Sequence, residues 1–224
     1  SHCNILLQKK GEKILFLQSD KTKQYYYDHM ANGVDFEYGK YHFSYRLTKC
    51  ECYPQDYATI ITYNPRDSKS IINNYESFYA LDIGGMTCDI ISIMDGRPSL
   101  QKSDSVPNGV LAMYSTIVQQ IEIEEGHRLS KQQIESILLN KPTIVDQKIV
   151  NAVIEKAREW YHQIIASFVQ FGCNFQDYPV IFMGGGSLLF KQFIEERYII
   201  NVYEIIDDPF SNAIAYKRLI SKEK

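Results

Sequence analysis

The most informative segment of this chain is Leu81-Asp82-Ile83-Gly84-Gly85-Met86-Thr87-Cys88-Asp89-Ile90. An acid ends an apolar strand, two glycines and a hydroxyl residue follow, and a second strand begins. Glycine lets backbone N–H groups approach an anion closely, so such a turn can wrap the β- and γ-phosphates of a nucleotide. In this hypothesis Asp82 holds Mg²⁺, directly or through water, because that cation prefers oxygen ligands. Thr87 adds a hydroxyl donor.

The same stretch has a simpler interpretation, an ordinary hairpin in which the two glycines only make the bend. A second glycine turn, Gly184-Gly185-Gly186-Ser187, favours the phosphate interpretation. It lies between an apolar strand and a helix, where its amides form an anion-binding helix N-terminus. The simpler interpretation of this second turn is a tight connection from strand to helix.

Around these turns the sequence predicts an α/β unit. Its first three strands form an antiparallel meander, and the longest helix carries apolar residues at three- and four-residue steps. One helix begins at Ser130 with Gln133 three residues later, the spacing of a capping box. The other predicted elements are strands at 78–83, 88–94, near 99, 180–183 and near 202, and helices at 109–124, 145–171, 187–196 and from 209.

The first part of the chain is predicted to be a β-rich leader, with apolar or alternating runs between turn signals over residues 4–63. The triple tyrosine at 25–27 fits a half-buried sheet surface through its β-propensity, and we assign it no function. Pro54 predicts a short helix that reaches to about residue 61. The polar stretch 64–76 is predicted to be a linker, which gives two domains, 1–76 and 77–224.

Composition excludes some classes of function. The formal net charge is −3, whereas a protein that binds nucleic acid directly normally carries clustered Lys and Arg on a basic domain. No apolar run approaches the roughly 20 residues that span a bilayer, and the start of the chain lacks the pattern of a signal peptide. We therefore expect a cytoplasmic protein with no membrane partner, whose five cysteines are reduced structural thiols.

The order of these motifs resembles the second half of the actin-fold ATPases. The resemblance is carried by DIGGMTCDI at 82–90, DSVPNG at 104–109, a long helix, FMGGGS at 182–187 and DPFSNAIAYKRL at 208–219. Within that superfamily the chain is most similar to the bacterial plasmid-segregation actins of the ParM (StbA) family. The resemblance implies an α/β, actin-like (ribonuclease H-like) ATPase fold, a mixed sheet flanked by helices, with the leader as a remnant of the first subdomain.

The resemblance also assigns residues to roles. It makes 82–87 the second phosphate loop and 184–187 the adenosine loop, facing each other across a cleft between domains. The implied nucleotide-binding residues are Gly84, Gly85, Met86, Thr87, Gly184, Gly185, Gly186 and Ser187. Gln55 would position the attacking water, Asp82 would be catalytic, and Asp82 and Asp104 would hold the metal. An aspartate such as Asp104 is also a routine helix cap.

The implied function is a filament-forming nucleoside triphosphatase that uses ATP or GTP with Mg²⁺. It would polymerise with copies of itself to segregate plasmid DNA, through a DNA-binding adaptor. Two alternatives stay open, an actin-fold small-molecule kinase and a nucleotide-free interaction module. Nothing in residues 1–45 fits the first phosphate loop of the family, so we expect a partial chain that turns over essentially no nucleotide by itself.

Overall fold

The computed structural model describes residues 7–10, 13–16, 19–30, 32–45, 57–63, 68–208 and 210–222. The chain divides into two compact units, residues 1–55 and 56–224. Residues 57–63 and 68–74, which the sequence pattern placed with the leader and linker, belong to the second unit. No helix within the described ranges is long and apolar enough to cross a membrane.

The first unit contains a helix between two hairpins. Its elements are β1 (Leu7–Lys10), β2 (Lys13–Phe16), α1 (Ser19–Met30), β3 (Val34–Tyr38) and β4 (Tyr41–Tyr45). The tyrosines at 25–27 lie in α1, so their predicted strand is wrong. Pairs four residues apart support the helix: Gln24 donates to Asp28 at 2.7 Å, and the rings of Tyr25 and His29 are 4.2 Å apart. Such pairs face each other only on a helix, and here they outweigh β-propensity.

The second hairpin turns through Gly39, whose φ is 63°. Phe36 lies directly opposite Phe43, with ring centroids 5.2 Å apart. Since side chains alternate between the faces of a strand, the aromatic residues of β3 and β4 share one face and the polar ones the other. Side chains of both faces are exposed.

The second unit is built on a five-stranded mixed sheet in the order β7-β6-β5-β8-β9. The first three strands are antiparallel neighbours, whereas β8 pairs parallel with both β5 and β9. Its elements are α2 (Tyr57–Thr62), α3 (Ile71–Asn74), β5 (Phe78–Ile83), β6 (Cys88–Met94), β7 (Arg97–Val106), α4 (Val110–Glu125), α5 (Lys131–Leu138), α6 (Gln147–Gln170), β8 (Val180–Met183), α7 (Gly185–Leu189), α8 (Lys191–Glu195), β9 (Tyr203–Ile205) and α9 (Ser211–Lys222). The predicted mixed sheet flanked by helices is confirmed.

Helices cover both faces of this sheet. Odd-numbered residues of β5, such as Tyr79 and Leu81, pack with α4, α5 and α6 in the larger core. Even-numbered residues, such as Phe78 and Ala80, pack with Ile60 of α2 in a smaller core. Asp82 continues this even-numbered row, so the sheet directs its side chain toward the face that carries α2.

Local signals in the sequence explain where the helices begin. The capping box is present, because the Ser130 side chain accepts from Gln133 N and the Gln133 side chain accepts from Ser130 N. Asp146 caps α6 by accepting from Lys148 N at 2.8 Å. Such caps satisfy amides that the first helical turn leaves without partners.

Candidate functional site

The two glycine turns lie side by side where the strands β5 and β8 of the five-stranded sheet end. Asp82 on β5 is paired with Met183 on the parallel strand β8, so the turns that follow these strands emerge together. The expectation that they face each other across a cleft between domains is wrong, because both belong to one sheet. The carboxyl ends of parallel strands are also where open α/β sheets bind ligands.

The turn at 84–87 is seated on the start of α4. Its carbonyl oxygens all accept hydrogen bonds, from the amides of Val110 (to Gly84, 3.1 Å), Leu111 (to Gly85, 2.9 Å), Gly109 (to Met86, 3.2 Å) and Gly84 (to Thr87, 3.0 Å). Gly109 permits this close approach, since a β-carbon there would lie 2.5 Å from the backbone carbon of Met86. The first amides of α4 are therefore occupied by the turn.

Most amide groups of the same turn, unlike its carbonyl groups, take part in no hydrogen bond within the described chain. In the part of the chain that the structure describes, the N–H groups of Gly85, Met86 and Thr87 donate no hydrogen bond. Gly85 and Met86 are exposed at the surface. Because the acceptors of the turn are satisfied within the fold and these three donors have no acceptor in the described chain, the turn is suited to binding an anion.

The second turn depends on its glycines. Gly184 has φ 81° and ψ 164°, a conformation that is essentially limited to glycine. A β-carbon on Gly186 would lie 2.7 Å from the carbonyl oxygen of Ile83. Ser187 is fully buried, and its hydroxyl donates to the Gly184 carbonyl at 2.7 Å. The Ser187 hydroxyl thus closes the turn, and Gly185 is its exposed member.

Asp82 lies beside both turns and is only 3% exposed. Its Oδ2 atom accepts a hydrogen bond of 3.1 Å from Nδ2 of Asn212, at the start of α9. Its Oδ1 atom lies against Gly184, where a β-carbon would overlap it. A buried carboxylate is costly unless charges or donors surround it, so a cation at this position would stabilise Asp82.

Asp89 is a site residue that the sequence analysis missed. It lies directly opposite Asp82 in the β5–β6 pair, which places the two side chains on one face with Cβ atoms about 4.5–5.5 Å apart. The hydroxyl of Thr87 donates to Asp89 Oδ2 at 2.8 Å. The spacing in the sequence could have revealed Asp89. A tight Gly-Gly turn pairs an acid that precedes the turn with an acid that follows it.

Asp104, the second predicted metal ligand, is not brought to this face. Asp104 lies in β7, next to Ser105. Ser105 is paired with Asp89 of β6, and Asp89 is paired with Asp82 of β5. Since successive residues alternate between faces, Asp104 lies on the face opposite Asp82, exposed, with Oδ1 accepting from Ser105 N at 2.8 Å. Gln55 lies outside the described residues.

The donor set suits Mg²⁺ together with a nucleotide. No group of three or more His, Cys, Asp or Glu side chains that could hold a metal occurs among the described residues. Asp82 and Asp89 nevertheless supply two carboxylates on one face, beside the open amides of the turn. Mg²⁺ is usually held by one or two carboxylates, waters and the phosphates of a substrate, so the residues fit a metal that is bound along with phosphate.

The buried Cys88 thiol and the half-buried Trp160 indole fix the segment that joins the sheet to α4. The carbonyl oxygen of Asn108 accepts from Trp160 Nε1 of α6 at 3.0 Å and from Cys88 Sγ at 3.4 Å. Burial, and to a lesser degree the charges of Asp89 and Asp82, raises the pKa of the Cys88 thiol to about 12. Cys88 is therefore a neutral packing group near the turn and not a nucleophile.

The mixed sheet, with two glycine turns at one edge and helices on both faces, defines the class of actin-like folds. The family described as archaeal actin homologue MreB-like, C-terminal, matches residues 80–196, more than half of the chain, and this chain belongs to that family. No curated protein sequence matches the chain significantly.

Solved structures with this fold include ParM proteins and an archaeal actin homologue. A non-polymerisable quadruple mutant of pCBH ParM superposes with a TM-score of 0.67 at 16% identity, over 92% of this chain and 65% of that one. A 15-stranded ParM filament from Clostridium botulinum gives 0.63 at 18%, over 92% and 64%. The archaeal actin homologue Ta0583 in complex with ADP gives 0.66 at 19%, over 89% and 67%. The chain thus spans about two thirds of each relative, and the predicted actin-like fold is confirmed.

Proposed function

We propose that this chain is the nucleotide-binding part of a filament-forming, actin-like nucleoside triphosphatase that uses ATP or GTP with Mg²⁺. One observation carries the proposal, the arrangement of the turn at 84–87. Its carbonyl groups are bonded within the fold, the amides of Gly85, Met86 and Thr87 donate to nothing in the described chain, and two carboxylates lie beside it. Amides without an acceptor next to a pair of carboxylates suit a nucleotide phosphate and its cation.

Each part of the site has a role in this proposal. The amides of Gly85, Met86 and Thr87 bind the β- and γ-phosphates. Asp82 and Asp89 hold Mg²⁺, which when bound neutralises charge on the phosphates. Gly185 has open space at its β-carbon position and allows the nucleoside part to approach the backbone closely. Gly184 and Gly186 instead allow the turn to lie against Asp82 and Ile83. The proposal leaves Asp104 out of the metal site, because Asp104 lies on the other face of the sheet.

Hydrolysis requires a water molecule placed in line with the phosphate. We assign that task to Gln55, which precedes α2 by two positions in the sequence. A carboxamide orients a water through its oxygen and its NH₂ group, but it is not a base. Gln55 would therefore contribute by positioning, and the rate would come from positioning and electrostatic stabilisation together.

The cellular role is proposed by analogy with relatives. A ParM of the same fold forms a 15-stranded filament, and the archaeal homologue binds ADP. Head-to-tail contacts between identical subunits generate open filaments when their rotation does not close a ring. We expect such filaments to segregate plasmid DNA in the cytoplasm. The net charge of −3 favours a DNA-binding adaptor over direct contact with DNA.

Nucleotide binding and turnover test the first part of the proposal. The full-length protein should bind ADP more tightly with Mg²⁺ than with EDTA and should release phosphate from ATP or GTP. Asp82→Ala should abolish phosphate release. Asp104→Ala is the matched control, because it removes an exposed acid from the same sheet on the opposite face. A wild-type protein that binds no nucleotide would support the interaction module, and phosphorylation of a small molecule would support the kinase.

Assembly is tested separately. Light scattering and negative-stain electron microscopy of the full-length protein, with and without Mg-ATP or Mg-GTP, should reveal filaments that depend on nucleotide. A protein that binds and hydrolyses nucleotide but stays monomeric at all concentrations would remove the filament and the plasmid-segregation role from the proposal. The nucleotide site would be unaffected by that result.

A further inference from the structure

A chain of hydrogen bonds runs from α2 through α9 to the acid at the glycine turns. Thr59 Oγ1, in α2, donates to Asn212 Oδ1 at 2.5 Å. Asn212 Nδ2, in the first turn of α9, donates to Asp82 Oδ2 at 3.1 Å. Asn212 is 153 positions from Thr59 and 130 positions from Asp82 in the sequence, so only the folded structure brings the three residues together.

The donors and acceptors in this series of hydrogen bonds have a fixed direction. An ionised carboxylate only accepts hydrogen bonds, whereas an amide has one accepting and one donating end. Because Asp82 receives the NH₂ group of Asn212, the amide oxygen of Asn212 points away from the carboxylate. The Thr59 hydroxyl donates to that oxygen and so stabilises the one orientation in which Asn212 offers a donor to Asp82.

Packing holds both ends of this hydrogen-bond series, Thr59 and Asp82, in place. Thr59 is 2% exposed and Asp82 is 3% exposed, so water competes little for these hydrogen bonds. Arg218 Nη1 of α9 donates to the carbonyl oxygen of Thr62 at 3.1 Å, which ties the end of α2 to α9. On the other side of the carboxylate, Oδ1 lies against the backbone of Gly184. The carboxylate is thus held between Asn212 and the second glycine turn.

We infer that Asn212 is a positioning residue for the Asp82 carboxylate and that Thr59 sets the orientation of Asn212. The inference rests on the proposed function, in which Asp82 holds Mg²⁺ beside the phosphates of a nucleotide. The amide of Asn212 occupies one lone-pair direction of Asp82 Oδ2. In this proposal the other lone pairs of the Asp82 carboxylate bind the cation and its waters. Removing a partner of this kind from a metal-binding residue typically lowers metal affinity by about 10- to 100-fold.

A purely structural role would have a different consequence. If these hydrogen bonds only tied α2 and α9 to the sheet, their loss would lower stability and would change ADP affinity equally with and without Mg²⁺. If Asn212 positions Asp82, its loss acts on the part of the affinity that depends on the metal. The ratio of the ADP dissociation constant in EDTA to that in Mg²⁺, called here the metal ratio, separates the two roles.

The test is calorimetric titration of the full-length protein with ADP in Mg²⁺ and in EDTA. Asn212→Leu keeps the approximate size of the side chain and removes both hydrogen bonds. We expect it to lower the metal ratio by about 10-fold, while affinity in EDTA changes by less than about 2-fold. Thr59→Val should lower the metal ratio by a smaller factor. Thr59→Ser retains the hydroxyl and should restore the wild-type ratio.

Two matched controls accompany these variants. Thr62→Val removes another buried hydroxyl from α2, one that donates within the helix to Ala58 O at 2.8 Å. Asn151→Leu removes an exposed asparagine from α6. Both should keep the wild-type metal ratio, and thermal unfolding shows whether each protein is folded.

The outcomes separate this inference from the proposed function. Wild-type ADP binding that does not respond to Mg²⁺ would overturn the metal part of the proposed function, and this inference with it. Mg²⁺-dependent binding in the wild type, with an unchanged metal ratio in Asn212→Leu and Thr59→Val, would overturn this inference alone. If Asn212→Leu does not fold, the comparison of Thr59→Val with Thr59→Ser and Thr62→Val decides between the positioning role and the structural one.

Discussion

The backbone of Gly184 lies against the carboxylate of Asp82, so closely that a β-carbon at position 184 would overlap Oδ1. The two glycine turns are therefore one structure, in which the second turn limits how the acid beside the first can move. Parallel pairing of β5 with β8 creates this contact, because it places Asp82 level with Met183, the residue before Gly184.

The first prediction concerns that contact. Gly184→Ala should lower the free energy of unfolding by more than about 3 kcal/mol, because it adds backbone strain to the overlap with Asp82. Gly172→Ala separates the two effects, since Gly172 has φ 104° but open space around it, and it should cost about 1–3 kcal/mol. Gly185→Ala meets no atom within 4 Å and should be close to neutral. Urea unfolding measures all three, and equal losses in Gly184→Ala and Gly172→Ala would show that the overlap has no effect.

The second prediction concerns the facing acids Asp82 and Asp89. Like charges directly opposite each other destabilise a strand pair, so Asp89→Asn should stabilise the protein in EDTA by about 0.5 kcal/mol. The same variant should lose part of the stabilisation that Mg²⁺ and ADP add, because at a fixed ligand concentration a weaker ligand stabilises the native state less. Thermal unfolding in both conditions provides the measurement. Asp104→Asn, on the other face, should change neither value, and a destabilised Asp89→Asn in EDTA would contradict the prediction.

The third prediction concerns Glu204, which joins β9 to the segment around α3. Its carboxylate accepts from Ser70 Oγ at 2.7 Å, Ile71 N at 2.8 Å and Tyr63 OH at 3.3 Å. Glu204→Ala should therefore cost about 2–4 kcal/mol, since hydrogen bonds to a charged group are strong and buried donors lose their partner. Tyr63→Phe removes only the longest bond and should cost about 1 kcal/mol or less. Urea unfolding that ranks the two variants in the reverse order would refute this role for Glu204.

The fourth prediction follows from the buried Cys88 thiol. Burial raises its pKa from 9.0 to about 12, so the thiol ionises first in the unfolded chain. Its contribution to stability is fully present below pH 9 and is lost between pH 9 and 12, with a slope of at most about 1.4 kcal/mol per pH unit. The difference in unfolding free energy between wild type and Cys88→Ala should be constant below pH 9 and shrink above it. A difference that stays constant through this alkaline range would contradict the assignment, as would rapid alkylation of native Cys88 near neutral pH.

Much of the second unit could be predicted from local signals. Apolar runs bounded by glycine turns gave the strands β5, β6 and β8 at their observed ends, and the serine at 130 with Gln133 gave the start of α5. Such signals act between residues that are close in sequence. They failed at the tyrosines of α1, where pairs four residues apart outweigh β-propensity, and at Asp104, which lies within a longer β7 than expected.

Local sequence patterns were sufficient to identify the two glycine turns, the acid before the first of them and the family that these motifs indicate, because glycine geometry and strand pattern are local properties. The side-by-side position of the turns and the pairing of Asp89 with Asp82 emerged from the folded structure. It also brought Thr59 and Asn212 to the same carboxylate. The reason is physical: sheet register and helix packing join residues that are more than a hundred positions apart, and no local preference encodes which of them will meet.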